Sequence, residues 1–490
     1  MKKCTGEAIS LDLFVSRIPP LLAIGIVVYV YALVVMTLFQ FVIIPYMSPT
    51  AENGLLAGDP LHYHTLAIDL AERIAEEGWG VWSLRPEGQG TVGIAAALYA
   101  TTTAKPWMVI PLNAFLHALA SVALIAIMRQ IIPLKFALIA SLYFIISPYQ
   151  MHWYSQLNKE SFVAAGFFVF VYGWVLALRH STTEKHSSYR LGLLLVVFGA
   201  SLISIVRPYV VEMLNILNLV VVSVLIVMIY RGLRQGLFIR KRSARMRMIG
   251  AVCVIALLMP LTRGAASDDT LLALESHAQK EKLKQLTQRL RQEAEEYQWG
   301  KASWLPLAVE KRLYAVVWQR IIFRSLETFT LNTTTRELLV DHRHIFRDAY
   351  DILAYLPRAF LIGLFEPLPM DWAVFFGSGT RSVFRIFMTG EMSLAYLSFF
   401  LLMAYLVLLG VNLEVFVSLA YTLPVITIYA LATPHVGILS RFRYPYFILL
   451  MTLGVTLGVN LWLNRRSSSW ISKSLLLNRK IRIDQRSQRE

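Results

Sequence analysis

Cysteine is almost absent. Cys4 in the N-terminal tail and Cys253 inside an apolar run are the only two in 490 residues. By the topology below neither faces an oxidising compartment, which excludes a disulfide-stapled secreted fold. Charge is scarce as well: Asp, Glu, Lys and Arg make up 16% of the chain against 56% hydrophobic residues, with a mean hydropathy of +0.55. That balance excludes a set of soluble domains. No Gly-rich phosphate loop is present, which leaves nucleotide-dependent chemistry without support. There is no internal repeat and no low-complexity tract.

Acids are outnumbered, 31 against 47 Lys and Arg, for a net charge of +16. The basic excess falls between and after apolar runs, as the positive-inside rule requires, and forms no free basic domain. Nucleic acid is therefore excluded as a partner, and the lipid bilayer is implied.

Apolar runs long enough to cross ~30 Å of hydrocarbon recur along most of the chain. They predict an all-α polytopic membrane protein of about ten spans, over residues 21–45, 107–128, 136–148, 161–178, 191–206, 209–230, 248–261, 392–411, 415–431 and 446–463. The first run is too long for a signal-peptide core and reads as an uncleaved anchor. The expected organisation is an N-terminal membrane module over 1–263 with a first outer loop at 47–106, a helical outer or interfacial region over 264–391, C-terminal spans over 392–463 and a basic tail over 464–490. Asp268 to Glu296 carries the spacing of an amphipathic charged helix. The segment from Ile352 through Pro357 to Trp372 is short and proline-interrupted, which predicts an interfacial or re-entrant piece. Arg231, Arg234, Arg240, Lys241, Arg242, Arg245 and Arg247 mark the cytoplasmic side. The first loop and 264–391 then lie outside.

Several polar residues collect on that outer side. Asp59, in Gly58-Asp59-Pro60, is a candidate general base for a hydroxyl acceptor, and a loop Asp before Pro also serves as a turn or helix cap. His62 and His64 beside it suit tuning or substrate contact. At i, i+2 they point apart, so a divalent metal stays open and would need distant ligands. Arg85 and Glu87, near Trp79 and Trp82, suit sugar contact, against a plain anchoring role for the aromatics. Lys159-Glu160 precedes the fourth span, and Arg207 stands before Pro208 inside an apolar stretch, where an unpaired cation is costly. His435, Arg441 and Arg443 fall in an expected outer loop over 434–445. Forked Arg–phosphate contacts there compete with a structural pairing to Glu366 or Asp371.

The order of these parts resembles the GT-C superfamily of membrane glycosyltransferases, such as the dolichyl-phosphate-mannose-protein mannosyltransferase-like bacterial enzymes. The residues that carry the resemblance are Asp59 with Tyr63-His64-Thr65-Leu66-Ala67, Gly93 to Tyr99 leading into the second span, Pro111 to Ala114, Asn158 to Ser161 and Arg441 to Pro445. They cover the first ~210 and last ~60 residues. The resemblance implies an inverting transfer from a polyprenyl-phosphate-linked sugar to a glycan, lipid or protein hydroxyl, at the periplasmic face of a bacterial inner membrane. In it Asp59 matches the first-loop catalytic carboxylate, while Lys159, Arg207, Arg441 and Arg443 are candidates to hold the donor phosphate. Pro60 stands where many members carry a second acid, which bears on any metal. Two alternatives accompany this reading: an O-antigen or exopolysaccharide polymerase or ligase acting on lipid-pyrophosphate-linked glycans, and a lipid-linked glycan flippase. Charges clustered at span ends, with no symmetry between halves, speak against transport.

Overall fold

The computed structural model describes residues 19–47, 51, 53–56, 58–182, 186–235, 241–262, 299–301, 304–330, 339–369 and 381–487. Among these there is no strand, and two isolated bridges, Gly300 to Asp348 and Leu339 to His435, are the only β contacts. Nine described helices are long and apolar enough to cross a membrane, or ten if one bent pair counts as a single span. The chain is an all-α polytopic membrane protein. The expected amphipathic helix over Asp268–Glu296 lies outside the described residues, as do Cys4 and Asp371.

Helix α1, Pro20–Leu38, starts on a proline whose missing N–H costs nothing at a first turn. Leu22, Ile26, Val30 and Val34 form an exposed stripe at helical spacing, the lipid-facing side of a helix at the bundle edge. It continues through a π turn at Phe39–Ile43, which buries Gln40. The first loop contains two helices, α2 (Asp59–Glu77) and α3 (Gly90–Thr101). Gly93 to Tyr99 was expected to lead directly into the second span. Instead α3 packs on α2 through Tyr63, Ala67, Leu70, Val92, Ala95 and Tyr99, a small core of its own. The second span, α4 (Ile110–Met128), follows a 3-10 turn.

The third crossing is α5 (Leu134–Ile146) and α6 (Pro148–Tyr154), bent by 54°. Pro148 breaks the ladder and Ser147 Oγ caps the new start by accepting from Gln150 N at 3.4 Å. Then come α7 (Glu160–Arg179), α8 (His186–Val206), α9 (Pro208–Arg234) and α10 (Lys241–Leu258). After them lie α11 (Leu307–Thr330) and α12 (Ala349–Phe365), the latter with Pro357 inside. Helix α12 packs along a span and is shorter than a crossing requires, as its proline-interrupted sequence predicts. The last spans are α13 (Arg381–Leu409), α14 (Leu413–Ala432) and α15 (Val436–Ser487).

Helix α7 is the axis of the bundle, with 94% of its apolar window buried. Its closest partner is α8. Gly166 and Gly173 face Gly199 and Gly192, and a Cβ on Gly173 would stand 2.6 Å from Gly192 O. Close backbone approach of this kind is how helices associate where lipid removes the hydrophobic drive. A bulky residue here forces the helices apart, and overpacking costs about 1–3 kcal/mol. Gly173→Leu is therefore expected to lower the thermal midpoint of the purified protein by several degrees, whereas Gly80→Ala, which meets nothing within 4 Å, leaves it unchanged. Equal midpoints would refute the close-packed seam.

Candidate functional site

Three breaks in the helical chain meet at one end of the bundle: the turn before α7, the Arg207–Pro208 junction and the start of α15. Each exists for a local reason. Pro208 cannot donate and pushes Arg207 out of helical geometry, to φ −145° and ψ 70°. Before α7, Asn113 pins the turn by donating to Tyr154 O at 2.9 Å and Gln156 O at 3.2 Å, and it accepts from Ser161 Oγ at 2.8 Å.

Glu160 is the hub. Its Oε1 accepts from Arg441 Nε at 2.6 Å and from Arg207 Nη2 at 3.0 Å, with Glu160 and Arg207 side chains 5% and 4% exposed. Arg441 Nη2 donates to Asn158 Oδ1 at 3.0 Å, and its Nη1 pairs with Asp59 Oδ2 at 3.0 Å. Every cation rests on an aromatic face: Arg441 over Trp153 at 4.7 Å, Arg207 over Phe442 at 4.5 Å, Lys159 over Tyr63 at 5.2 Å. Such contacts hold a cation in place without neutralising it. Three cations against two carboxylates leave the cluster with one positive charge, which suits an anion.

The two ends of this network differ in strength. Removing one member of the buried Arg207–Glu160 pair strands a charge, which costs about 3–5 kcal/mol. Asp59 is 52% exposed, so its pair with Arg441 contributes only about 0–1 kcal/mol after solvent screening. Asp59 is the first residue of α2, yet its side chain makes no cap to that helix. The carboxylate is turned to the cluster rather than to the helix end.

Of the expected site residues, Asp59, Lys159, Glu160, Arg207 and Arg441 come together. Arg443 does not. The 434–445 segment expected as a loop is helical from Val436, so residues two apart diverge by about 200°. Arg443 is buried on the other side, donating to the backbone carbonyls of Ile362, Gly363 and Glu366. Beside it lies a cavity of about 20 Å³ lined in part by Tyr149, Glu391, Ser440 and Tyr444, room for about one water. His435 caps α15 by accepting from Ile438 N at 3.2 Å, and burial lowers its pKa to about 4. It is neutral at pH 7 and is not a phosphate-binding cation. His64 shares a hydrogen bond with Tyr99 OH at 2.9 Å and is kept neutral by burial and by Lys105. His62 packs on Tyr63 with ring centroids 5.8 Å apart. Arg85 donates to Ser204 O at 3.2 Å, tying the loop to α8, and Glu87 sits in a 3-10 turn. Among the described residues no group of three or more His, Cys, Asp and Glu converges as metal ligands. Glu212 pairs with Arg312 of α11, away from this cluster.

No protein-family model matches the chain, and no curated protein matches its sequence. The site must speak for itself.

Sequence reasoning gave Asn158 no role of its own and missed Trp153 and the amides behind them. Gln156 Nε2 donates to Gln40 Oε1 at 3.2 Å and to Gly54 O at 3.0 Å, while Leu56 N donates to Gln156 Oε1 at 2.9 Å. Gln40 also donates to Asn53 O at 2.8 Å. The signal was there, as Gln40 is the lone amide of an otherwise apolar first span. These bonds fasten the loop that delivers Asp59.

Lys159 alone of the three cations has no hydrogen bond or ion pair in the cluster. Burial first, and Arg207 next, bring its pKa down to about 8. Its charge is thus present below pH 8 and lost as pH rises through that value, two units before an ordinary lysine at about 10.4. Competitive acetylation read by mass spectrometry should show Lys159 half-reactive near pH 8. Titration together with the exposed lysines would refute this.

Proposed function

We propose that the chain is a membrane glycosyltransferase of the GT-C kind. It takes a sugar from a polyprenyl-phosphate donor and passes it to a hydroxyl of a glycan, lipid or protein acceptor. The observation that carries this reading is the convergence of Asp59 with Arg441, Glu160, Arg207 and Lys159 at one end of the bundle. A first-loop carboxylate and three cations from distant parts of the chain form a mixed acid–base and anion site, at the ends of candidate membrane spans.

The opposite end supports the orientation. There Arg179 pairs with Glu414 at 2.8 Å, and Arg247 donates to His180 O at 3.0 Å and to His186 Nδ1 at 2.9 Å. With Arg190, Arg231, Arg234 and Arg245 this is the basic end, which the positive-inside rule assigns to the cytoplasm. The site end then faces the periplasm of a bacterial inner membrane.

In the reaction Asp59 takes the proton from the acceptor hydroxyl. The hydroxyl oxygen bonds to the anomeric carbon from the face opposite the phosphate, and the carbon–phosphate oxygen bond breaks with its electron pair going to the phosphate. The configuration inverts. The departing phosphate gains negative charge, and fixed cations already in place stabilise it without reorganising. Glu160 holds the two arginines at their spacing and is a positioning residue.

Reconstituted protein given a radiolabelled polyprenyl-phosphate sugar tests this. Asp59→Asn is expected to lower transfer by about 10²–10⁴-fold with insertion and thermal midpoint kept. Arg441→Ala lowers transfer, while Arg443→Ala lowers the thermal midpoint by removing a buried donor to carbonyls at the end of α12. Near-normal transfer by Asp59→Asn, with loss in Arg441→Ala, points instead to the lipid-pyrophosphate polymerase or ligase. Movement of the lipid across the bilayer without sugar transfer points to a flippase.

A further inference from the structure

Each nitrogen of the Arg441 guanidinium is engaged, through three of its five N–H donors. Its Nε is held by Glu160, its Nη2 by Asn158 and its Nη1 by Asp59. Of these three partners only one is able to leave. Glu160 is buried and shared with Arg207, and Asn158 belongs to the turn pinned by Asn113 and Gln156. Asp59 is half exposed, and Arg441 is its only hydrogen-bond or ion-pair partner among the described residues. It follows Gly58, whose φ of +103° places the chain in a conformation that other residues resist.

We propose that the Asp59–Arg441 ion pair is an exchangeable latch, in which the donor's phosphate displaces Asp59 from Arg441 and so frees the base only when the donor is bound. The inference rests on the glycosyltransferase reading and names what that site selects. A phosphate offers several oxygens in a fork and takes Arg441 Nη1 together with the Lys159 ammonium, where a single Asp59 oxygen takes one N–H. The exchange moves Asp59 a short way into solvent, with its carboxylate turned to an acceptor hydroxyl.

The charge count decides which phosphate fits. Three cations and two carboxylates carry one net positive charge, so a phosphodiester with one negative charge brings the site to neutrality. A polyprenyl-phosphate sugar is such a diester. The monoester left after transfer carries a second negative charge at neutral pH, which the cluster matches only while Asp59 keeps the acceptor's proton; once that proton is lost the site is overfilled, which favours the return of the lipid to the bilayer. Asp59, having taken the acceptor proton, loses that proton to water before it latches again. A pyrophosphate-linked donor exceeds the site's charge from the start.

The test measures binding of the methyl phosphodiester of undecaprenyl phosphate, a lipid probe with one negative charge, against uncharged polyprenol to the full-length protein in detergent. Asp59→Asn removes the internal competitor, so affinity for the phosphate is expected to rise about fivefold, the most that an exposed ion pair contributes. In an Arg441→Lys background, where Asp59 and Glu160 no longer share a fork, the gain from Asp59→Asn disappears. Asp59→Ser gives the same readout should the asparagine variant fail to insert. No gain, or a loss, with phosphate still preferred over polyprenol overturns the latch and leaves the glycosyltransferase reading standing. A gain that persists in the lysine background marks a general charge effect and also overturns it. Equal binding of phosphate and polyprenol by the unaltered protein overturns both.

Discussion

Everything at the site end depends on one oxygen. Glu160 Oε1 accepts from Arg207 and Arg441 together, and these belong to segments 47 and 281 residues from it. A carboxylate taken out of water costs several kcal/mol unless it is paired and hydrogen-bonded. The two guanidiniums meet that cost; without Glu160, Arg207 would lose its carboxylate and Arg441 would keep only the half-exposed Asp59. The packing of α7 against α8 and α15 is therefore bound to the spacing of two cations. Cores of Leu and Phe tolerate sliding; a shared carboxylate between two forks does not.

The spans could be read from the sequence because hydrocarbon thickness imposes a length on each apolar run, and composition alone reports it. All ten expected runs correspond to helices, the third as a bent pair. What composition does not report is where a helix starts. Arg441 and Arg443 looked alike as a loop pair, yet the helix begins at Val436, and their separation around it sends one to the cluster and the other to three backbone carbonyls. His435 looked like a third cation and is a buried, neutral cap. Glu160 looked like a neighbour of Lys159 and is the hub. Local motifs named the candidates here, and helix phase decided which of them come together. The loop that bears Asp59 depends on Gln40, whose exposure to view required a π turn that no hydrophobic period announces.

Fixed cations impose their own constraint. Arg441, Arg207 and Lys159 lie on Trp153, Phe442 and Tyr63, surfaces that exclude water from one side of each charge. A lower local dielectric strengthens attraction to any anion, and it also makes unpaired charge expensive. The chain balances the two by giving both arginines a permanent carboxylate and leaving only Lys159 without an anionic contact. Burial then shows on Lys159 as a lowered proton affinity, so the same desolvation that would sharpen the proposed anion binding would make that binding sensitive to alkaline pH.

Rigidity is divided unevenly across the site, and the division follows from hydrogen bonding. Asn113, Gln156 and Gln40 are buried amides whose bonds reach carbonyls in the turn before α7 and in the first loop. Each of those bonds, if broken, leaves a buried polar group costing about 1–3 kcal/mol. The turn that carries Asn158, Lys159 and Glu160 is thus held on all sides. The first loop is held up to Leu56, and beyond it Asp59 is restrained by an ion pair in water. On the proposed reading, a site that admits a lipid headgroup and still presents a base needs one element that yields at little cost, and a half-exposed carboxylate can yield while the buried cation spacing stays unchanged.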